Sequence, residues 1–146
     1  EIYTDRSSAA SDVYKRQDVG TAEDWFEYNN KPVIFCDIDG TLIVAQSRFG
    51  SNSYDKDPVV LEKNYERIMN YYNKGCQIIF TTARPSDYDE HTRKMLENLG
   101  FKDFKLLSGL LNSARVIIND YNEANPYPRA IAVNIKRDSD NLKDFF

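Results

Sequence analysis

Three short apolar runs in this chain each end on a residue able to do chemistry. Val33-Ile34-Phe35-Cys36 leads to Asp37, the run from Gln77 to Thr82 ends on Thr82 itself, and Val116-Ile117-Ile118-Asn119 leads to Asp120. Between the first two lies a helix pattern opened by Pro58, marked by Val59, Leu61, Ile68, Met69 and Tyr72, and closed by Gly75. A second helix pattern covers Asp87 to Leu99 and ends at Gly100, with a weak strand pattern over Phe104 to Leu107 and another strand over Ala130 to Ile135. Strands separated by helical stretches predict an α/β fold with a mainly parallel sheet, Rossmann-like and three-layered. Functional residues in such sheets belong at the carboxyl ends of strands, so residues far apart in sequence are expected to meet there.

Composition narrows the class. The chain has 146 residues, room for one domain of ordinary size, with 41% hydrophobic and 29% charged residues. Lys and Arg number 19 against 23 Asp and Glu, and no basic block stands out, which argues against nucleic acid as a partner. No run approaches the ~18 to 20 apolar residues of a membrane span, which argues against a membrane partner. The two cysteines, Cys36 and Cys76, sit in or beside apolar runs. They read as buried free thiols in a reducing cytoplasm.

The N-terminal stretch stands apart. Ser7 to Gln17 (SSAASDVYKRQ) resembles a translated sequencing adapter, so residues 1–17 are set aside from fold reasoning as an artefact. Residues 18–31 are expected to be either a leading helix or the tail of a preceding domain. Thr21 and Asp24 make a capping-box-like start for the helix. The string DVGTAEDW also resembles the closing segment of sugar-1-phosphate nucleotidyltransferases, which implies a metal-holding role for Asp18 and an upstream nucleotidyltransferase domain. Residues 32–146 are then the main domain.

The strongest local signal is Val33-Ile34-Phe35-Cys36-Asp37-Ile38-Asp39-Gly40-Thr41-Leu42. Asp39 follows Asp37 by two residues, so in an extended segment both carboxylates share a side. Two nearby carboxylates repel and call for a cation or a shared proton. Mg²⁺ suits an all-oxygen site.

With this motif the chain resembles the haloacid dehalogenase (HAD) superfamily of phosphohydrolases, over roughly residues 32–136. The resemblance implies that Asp37 is a nucleophile forming an aspartyl-phosphate and that Asp39 is the acid/base. It also implies that the Asp39 carbonyl and Asp120 join Asp37 around Mg²⁺. An Asp at position 39 argues for a phosphatase or phosphomutase within that superfamily. The small-molecule partner is then a phosphate monoester.

The remaining motifs follow with departures. In Ile78-Ile79-Phe80-Thr81-Thr82-Ala83-Arg84-Pro85, a strand-end hydroxyl is expected to meet a phosphoryl oxygen. The resemblance favours Thr82, with Thr81 as runner-up. Gly40, Thr41, Thr81, Ala83 and Arg84 are the expected substrate-side residues, and Arg84 either touches substrate or caps local carbonyls. The family's usual Lys before the fourth strand is missing. Arg115 is the favoured replacement and Lys105 the alternative. Asn119 stands before Asp120 where paired acids are usual. Only about Val44 to Asp57 is free for a cap, which implies an open site screened by a loop carrying Arg48, Phe49 and Tyr54.

These readings converge on a Mg²⁺-dependent phosphatase. The nucleotidyltransferase-like tail suggests a sugar phosphate substrate in nucleotide-sugar or surface polysaccharide supply. The alternatives are a non-catalytic module of the same fold that binds a phosphorylated ligand, motivated by Asn119 and the missing Lys, and a phosphotransferase or mutase.

Overall fold

Ile34–Asp37 forms strand β1, Glu62–Asn73 helix α1, Ile78–Thr81 strand β2, Asp89–Asn98 helix α2 and Lys105–Leu107 strand β3. A single 3-10 turn, Ser86–Tyr88, leads into α2, and another spans Leu142–Asp144. The computed structural model describes residues 31–46, 54–124 and 129–146. The adapter and nucleotidyltransferase readings fall on residues 1–30, and Arg48 and Phe49 fall within 47–53, so both lie outside the described residues.

The three strands form one parallel sheet in the order β1-β2-β3. This is the α/β architecture that the alternation of strand and helix patterns predicts. Cross-strand register pairs Ile34 with Ile78, Cys36 with Phe80 and Asp37 with Thr81, and Thr81 in turn with Leu107. Ile34, Cys36, Ile78 and Phe80 therefore share one face, and all are buried. Phe80 meets Phe101 edge-on at 4.9 Å, and Phe101 meets Tyr65 and Tyr72 of α1 at 6.0 and 5.3 Å. Such T-shaped contacts favour edge-to-face electrostatics as well as burial. On the opposite face Phe35 and Leu107 are about half exposed.

The chain divides into two compact units. One holds Lys31–Asn112 and Asn134–Phe146, with every helix and strand above; the other holds Glu1–Asn30 and Ser113–Val133. Among its described residues the second unit has no regular element. The strand expected over Val116 to Asn119 is absent, and so is the one over Ala130 to Ile135. The apolar run supplies β preference, but a strand also needs a paired backbone and covered side chains. Val116 is 80% and Ile118 88% exposed. Local bonds flank the expected strand: Arg115 Nη1 donates to the Ser113 carbonyl at 2.7 Å, and the Ala124 N–H donates to Asn122 Oδ1 at 2.9 Å.

Helix α1 starts at Glu62, four residues past the Pro58 that was expected to open it. No side chain of its own caps it. Asp140 does so instead, accepting from the backbone N–H groups of Lys63 at 3.2 Å and Asn64 at 2.8 Å. At the other end Gly75 adopts φ +90°, a left-handed conformation that closes the helix at low steric cost.

Asn64 is fully buried. Its amide donates to the carbonyls of Thr41 and Ser139, both at 2.8 Å, and its Oδ1 accepts from the Leu142 N–H at 2.9 Å. One side chain thus joins α1, the loop after β1 and the C-terminal turn. Arg67 Nε adds a bond to the Phe146 carbonyl at 2.6 Å, and Tyr71 stacks on Phe146 at 4.8 Å.

Asn64→Ala strands two partly buried carbonyls and one buried N–H, and should cost about 2 to 4 kcal/mol, read from urea denaturation. Burial, reinforced by the neighbouring Asp37 charge, pushes the Cys36 thiol up to about 12 from 9.0. Cys36 should therefore stay unlabelled by a thiol reagent in the folded protein at about pH 8 and react once the chain is unfolded. The folded thiol keeps its proton where an unfolded one loses it, so below pH 9.0 Cys36 adds no pH dependence, and stability falls as pH climbs from there toward about 12. Cys36→Ala should flatten that decline in alkaline denaturation curves.

Candidate active site

The carboxyl edge of the sheet is built by the loop that follows β1. Ile38, Leu42 and Ile43 are fully buried and anchor it from below. Because Ile38 points into the core, the acids on either side of it leave the core together. The N–H groups of Leu42 and Ile43 both donate to the Ile38 carbonyl, at 2.9 and 3.1 Å, and the Gly40 N–H donates to the Ile43 carbonyl at 2.7 Å. The result is a tight loop with Asp37 at its entrance and Asp39 near its crest. Thr41 Oγ1 donates to Asp37 Oδ2 at 3.3 Å, which fixes the rotation of that carboxylate.

The C-terminal turn braces the same loop. The Asp138 N–H donates to the Gly40 carbonyl at 2.9 Å, and Asp138 Oδ1 accepts from the Ala45 N–H at 2.7 Å. Asp138 sits at φ +62°, a left-handed conformation that Asp tolerates better than most residues. Gly40 has φ +89°, and a Cβ there would lie 2.9 Å from Arg137 Cγ. Any larger residue at position 40 would collide with that stem as well as strain the backbone.

Thr81 ends β2 in register with Asp37, so their side chains share a face. Thr82 follows; its N–H donates to the Leu107 carbonyl and its Oγ1 accepts from the Arg84 N–H at 3.1 Å. Both threonines are buried. The fold thus brings Asp37, Asp39, Gly40, Thr41, Thr81, Thr82, Ala83 and Arg84 to one edge of one unit.

Arg84 does not cap local carbonyls. Its guanidinium grips Asp39 with both prongs, Nε to Oδ2 at 2.7 Å and Nη2 to Oδ1 at 2.9 Å. Nη2 also donates to Gln46 Oε1 at 3.1 Å, Nη1 lies 3.4 Å from Thr92 Oγ1, and Tyr54 presents its ring at 5.0 Å. The Arg84 side chain is 1% exposed, against 21% for Asp39. A fork on both oxygens is the strongest geometry open to such a pair. Sequence reasoning missed this contact and the roles of Gln46, Asn64, Asp138 and Asp140. The acids of Asp138-Ser139-Asp140 are a local signal for capping, but nothing local says which helix or loop they serve.

The expected cations and the third acid stand differently. Lys105 is exposed and pairs with Ile79, so it lies at the entry of β3 and not at its tip. Arg115 and Asp120 belong to the second unit, where Arg115 bonds to Ser113 and Asp120 Oδ1 lies 3.5 Å from Arg129 Nη1 on an exposed surface. Among the described residues there is no group of three His, Cys, Asp or Glu side chains placed to hold a metal. The donor chemistry beside β1 nevertheless suits Mg²⁺, which is commonly held by one or two carboxylates with waters completing its shell. The Asp37 carboxylate and the Asp39 carbonyl are oxygen donors of that kind.

Arg84→Met removes one partner of a buried pair and leaves Asp39 without its counter-charge. It should cost about 3 kcal/mol in denaturant unfolding. Arg84→Lys keeps the charge but loses the fork, and should fall between that variant and the parent in the same measurement.

The family model described as PITM 1-3, LNS2 domain matches residues 33–125, from the start of β1 past Asp120. Among curated proteins no sequence matches the chain. A crystal structure of an MCSG target from Vibrio cholerae aligns at 15% identity and a TM-score of 0.42, covering 70% of this chain and 90% of that one. No helix among the described residues is long and apolar enough to cross a membrane. The family match spans both acids of the loop after β1 and the threonine-arginine segment after β2, and the chain belongs to the LNS2 domain family, a phosphatase-type domain of the HAD-like superfamily.

Proposed function

We propose that this domain is a Mg²⁺-dependent phosphohydrolase acting on a small-molecule phosphate monoester, through an aspartyl-phosphate on Asp37. The observation that carries the reading is the alignment of Asp37 with Thr81 across the parallel β1-β2 pair, with Asp39 on the loop beside them. In the first step an Asp37 carboxylate oxygen bonds to phosphorus as the ester P–O bond breaks, and the leaving oxygen takes a proton from Asp39. In the second, water attacks the same phosphorus, gives a proton to Asp39 and frees Asp37 and inorganic phosphate. Thr81 or Thr82 donates a hydroxyl to a phosphoryl oxygen. Bound Mg²⁺ would offset the charge of carboxylate and phosphate, with the Asp37 carboxylate and the Asp39 carbonyl as its protein ligands.

The substrate we propose is a sugar phosphate of nucleotide-sugar or surface polysaccharide supply, on the strength of the nucleotidyltransferase-like segment over residues 18–30. The site is read as capless and open. Two free, buried cysteines support a cytoplasmic setting.

One observation favours a second reading. Both oxygens of Asp39 already accept from Arg84, a geometry that suits a module holding a phosphorylated ligand without turning it over. Asp37→Asn separates the two. The variant should release phosphate from a panel of sugar phosphates roughly a thousandfold more slowly than the parent, measured with Mg²⁺ present, and chelation should silence the parent. Equal release by parent and variant, or none from any substrate, would overturn the phosphatase reading.

A further inference from the structure

A phosphate dianion brought to Asp37 and Asp39 meets two carboxylates, and a basic side chain beside them would add to the charge that bound Mg²⁺ supplies. Arg84, Lys105 and Arg137 are among the basic side chains of the unit that holds these acids. Arg84 is spent: it is buried and forked onto Asp39. Lys105 pairs with Ile79, two residues back from Thr81, on the strand farthest from β1. The third is Arg137.

Arg137 stands at the brace that the C-terminal turn makes on the acid loop. The next residue, Asp138, donates its N–H to the Gly40 carbonyl at 2.9 Å. The Arg137 stem crosses Gly40 itself, with Cγ 2.9 Å and Cδ 3.7 Å from where a Cβ on that glycine would sit. Glycine at position 40 is what gives the stem room. Beyond it the side chain is exposed. Unlike Arg84, it makes no hydrogen bond or ion pair among the described residues. The neighbouring Asp138 carboxylate is engaged with the Ala45 N–H and does not draw the guanidinium to itself.

Resting on the phosphatase reading above, we infer that Arg137 is a substrate-contacting residue whose guanidinium binds the phosphoryl oxygens of the monoester beside Asp37. It takes the role expected of Arg115, which bonds to the Ser113 carbonyl in the second unit. A guanidinium fork matches two phosphoryl oxygens at once, which a lysine cannot do.

The test uses the full chain with Mg²⁺ and inorganic phosphate as the probe. Phosphate affinity is measured by calorimetry and, separately, as competitive inhibition of turnover. Arg137→Gln should weaken phosphate binding about tenfold and raise KM by a similar factor, with the melting temperature unchanged because the side chain is exposed. Arg137→Lys should recover part of the loss. Phosphate bound as tightly by Arg137→Gln as by the parent overturns the inference, and so does a parent that binds no phosphate. If Asp37→Asn leaves turnover intact while Arg137→Gln still weakens phosphate binding, the nucleophile assignment falls and the role of Arg137 stands. If Asp37→Asn abolishes turnover and Arg137→Gln changes nothing, Arg137 alone falls.

Discussion

The parallel pairing of β1 with β2 is the constraint on which the site rests. Register sets Asp37 opposite Thr81, and the same register puts Cys36 opposite Phe80 in the core. Side chains alternate along a strand, so a slip of one residue would send the acid inward and the thiol outward. Burial of Ile34, Cys36, Ile78 and Phe80 opposes that slip, since the exchange would desolvate a carboxylate and expose apolar surface. The position of the acid is thus fixed by the hydrophobic residues beside it, and Thr41 Oγ1 sets the rotation of its carboxylate.

The second acid is governed by a different balance. Asp39 lies at the rim, but its partner Arg84 lies fully inside, held by Gln46, Thr92 and the ring of Tyr54. A guanidinium is expensive to bury, and the cost is offset only when nearly every donor has an acceptor. The pair therefore ties the loop after β1 to the segment entering α2. It also makes the loop residues Gln46 and Tyr54 part of the setting of Asp39; Tyr54 was expected on the loop that screens the site, and Gln46 was not.

Much of this was legible in the chain itself. The apolar runs before Asp37 and Thr82 became β1 and β2, Lys105–Leu107 became β3, and two helix patterns became α1 and α2 with only their starts displaced. Those starts were misjudged because Pro58 permits a helix without compelling one, while the groups that satisfy the first turn of α1 come from Asp140. Val116 to Asn119 carries the same β-forming composition as β1, yet it is not a strand. Composition reports what a segment tolerates, and pairing depends on what it meets. The Asp39–Arg84 fork was hidden for a related reason: a charge is visible in sequence, but its partner 45 residues away is not.

The hold of the C-terminal turn on the acid loop has a consequence for biosynthesis. The bond from Ala45 to Asp138 spans 93 residues, and those of Asn64 to Ser139 and Leu142 span 75 and 78. A nascent chain that has emerged from the ribosome only as far as β3 already carries both acids and strands β1, β2 and β3. It still lacks the residues that brace Gly40 and cap α1. Such long-range closure is slow and comes late. The sheet can assemble during translation, whereas the brace on Gly40 and the cap on α1 form only after synthesis has brought out the C-terminal turn.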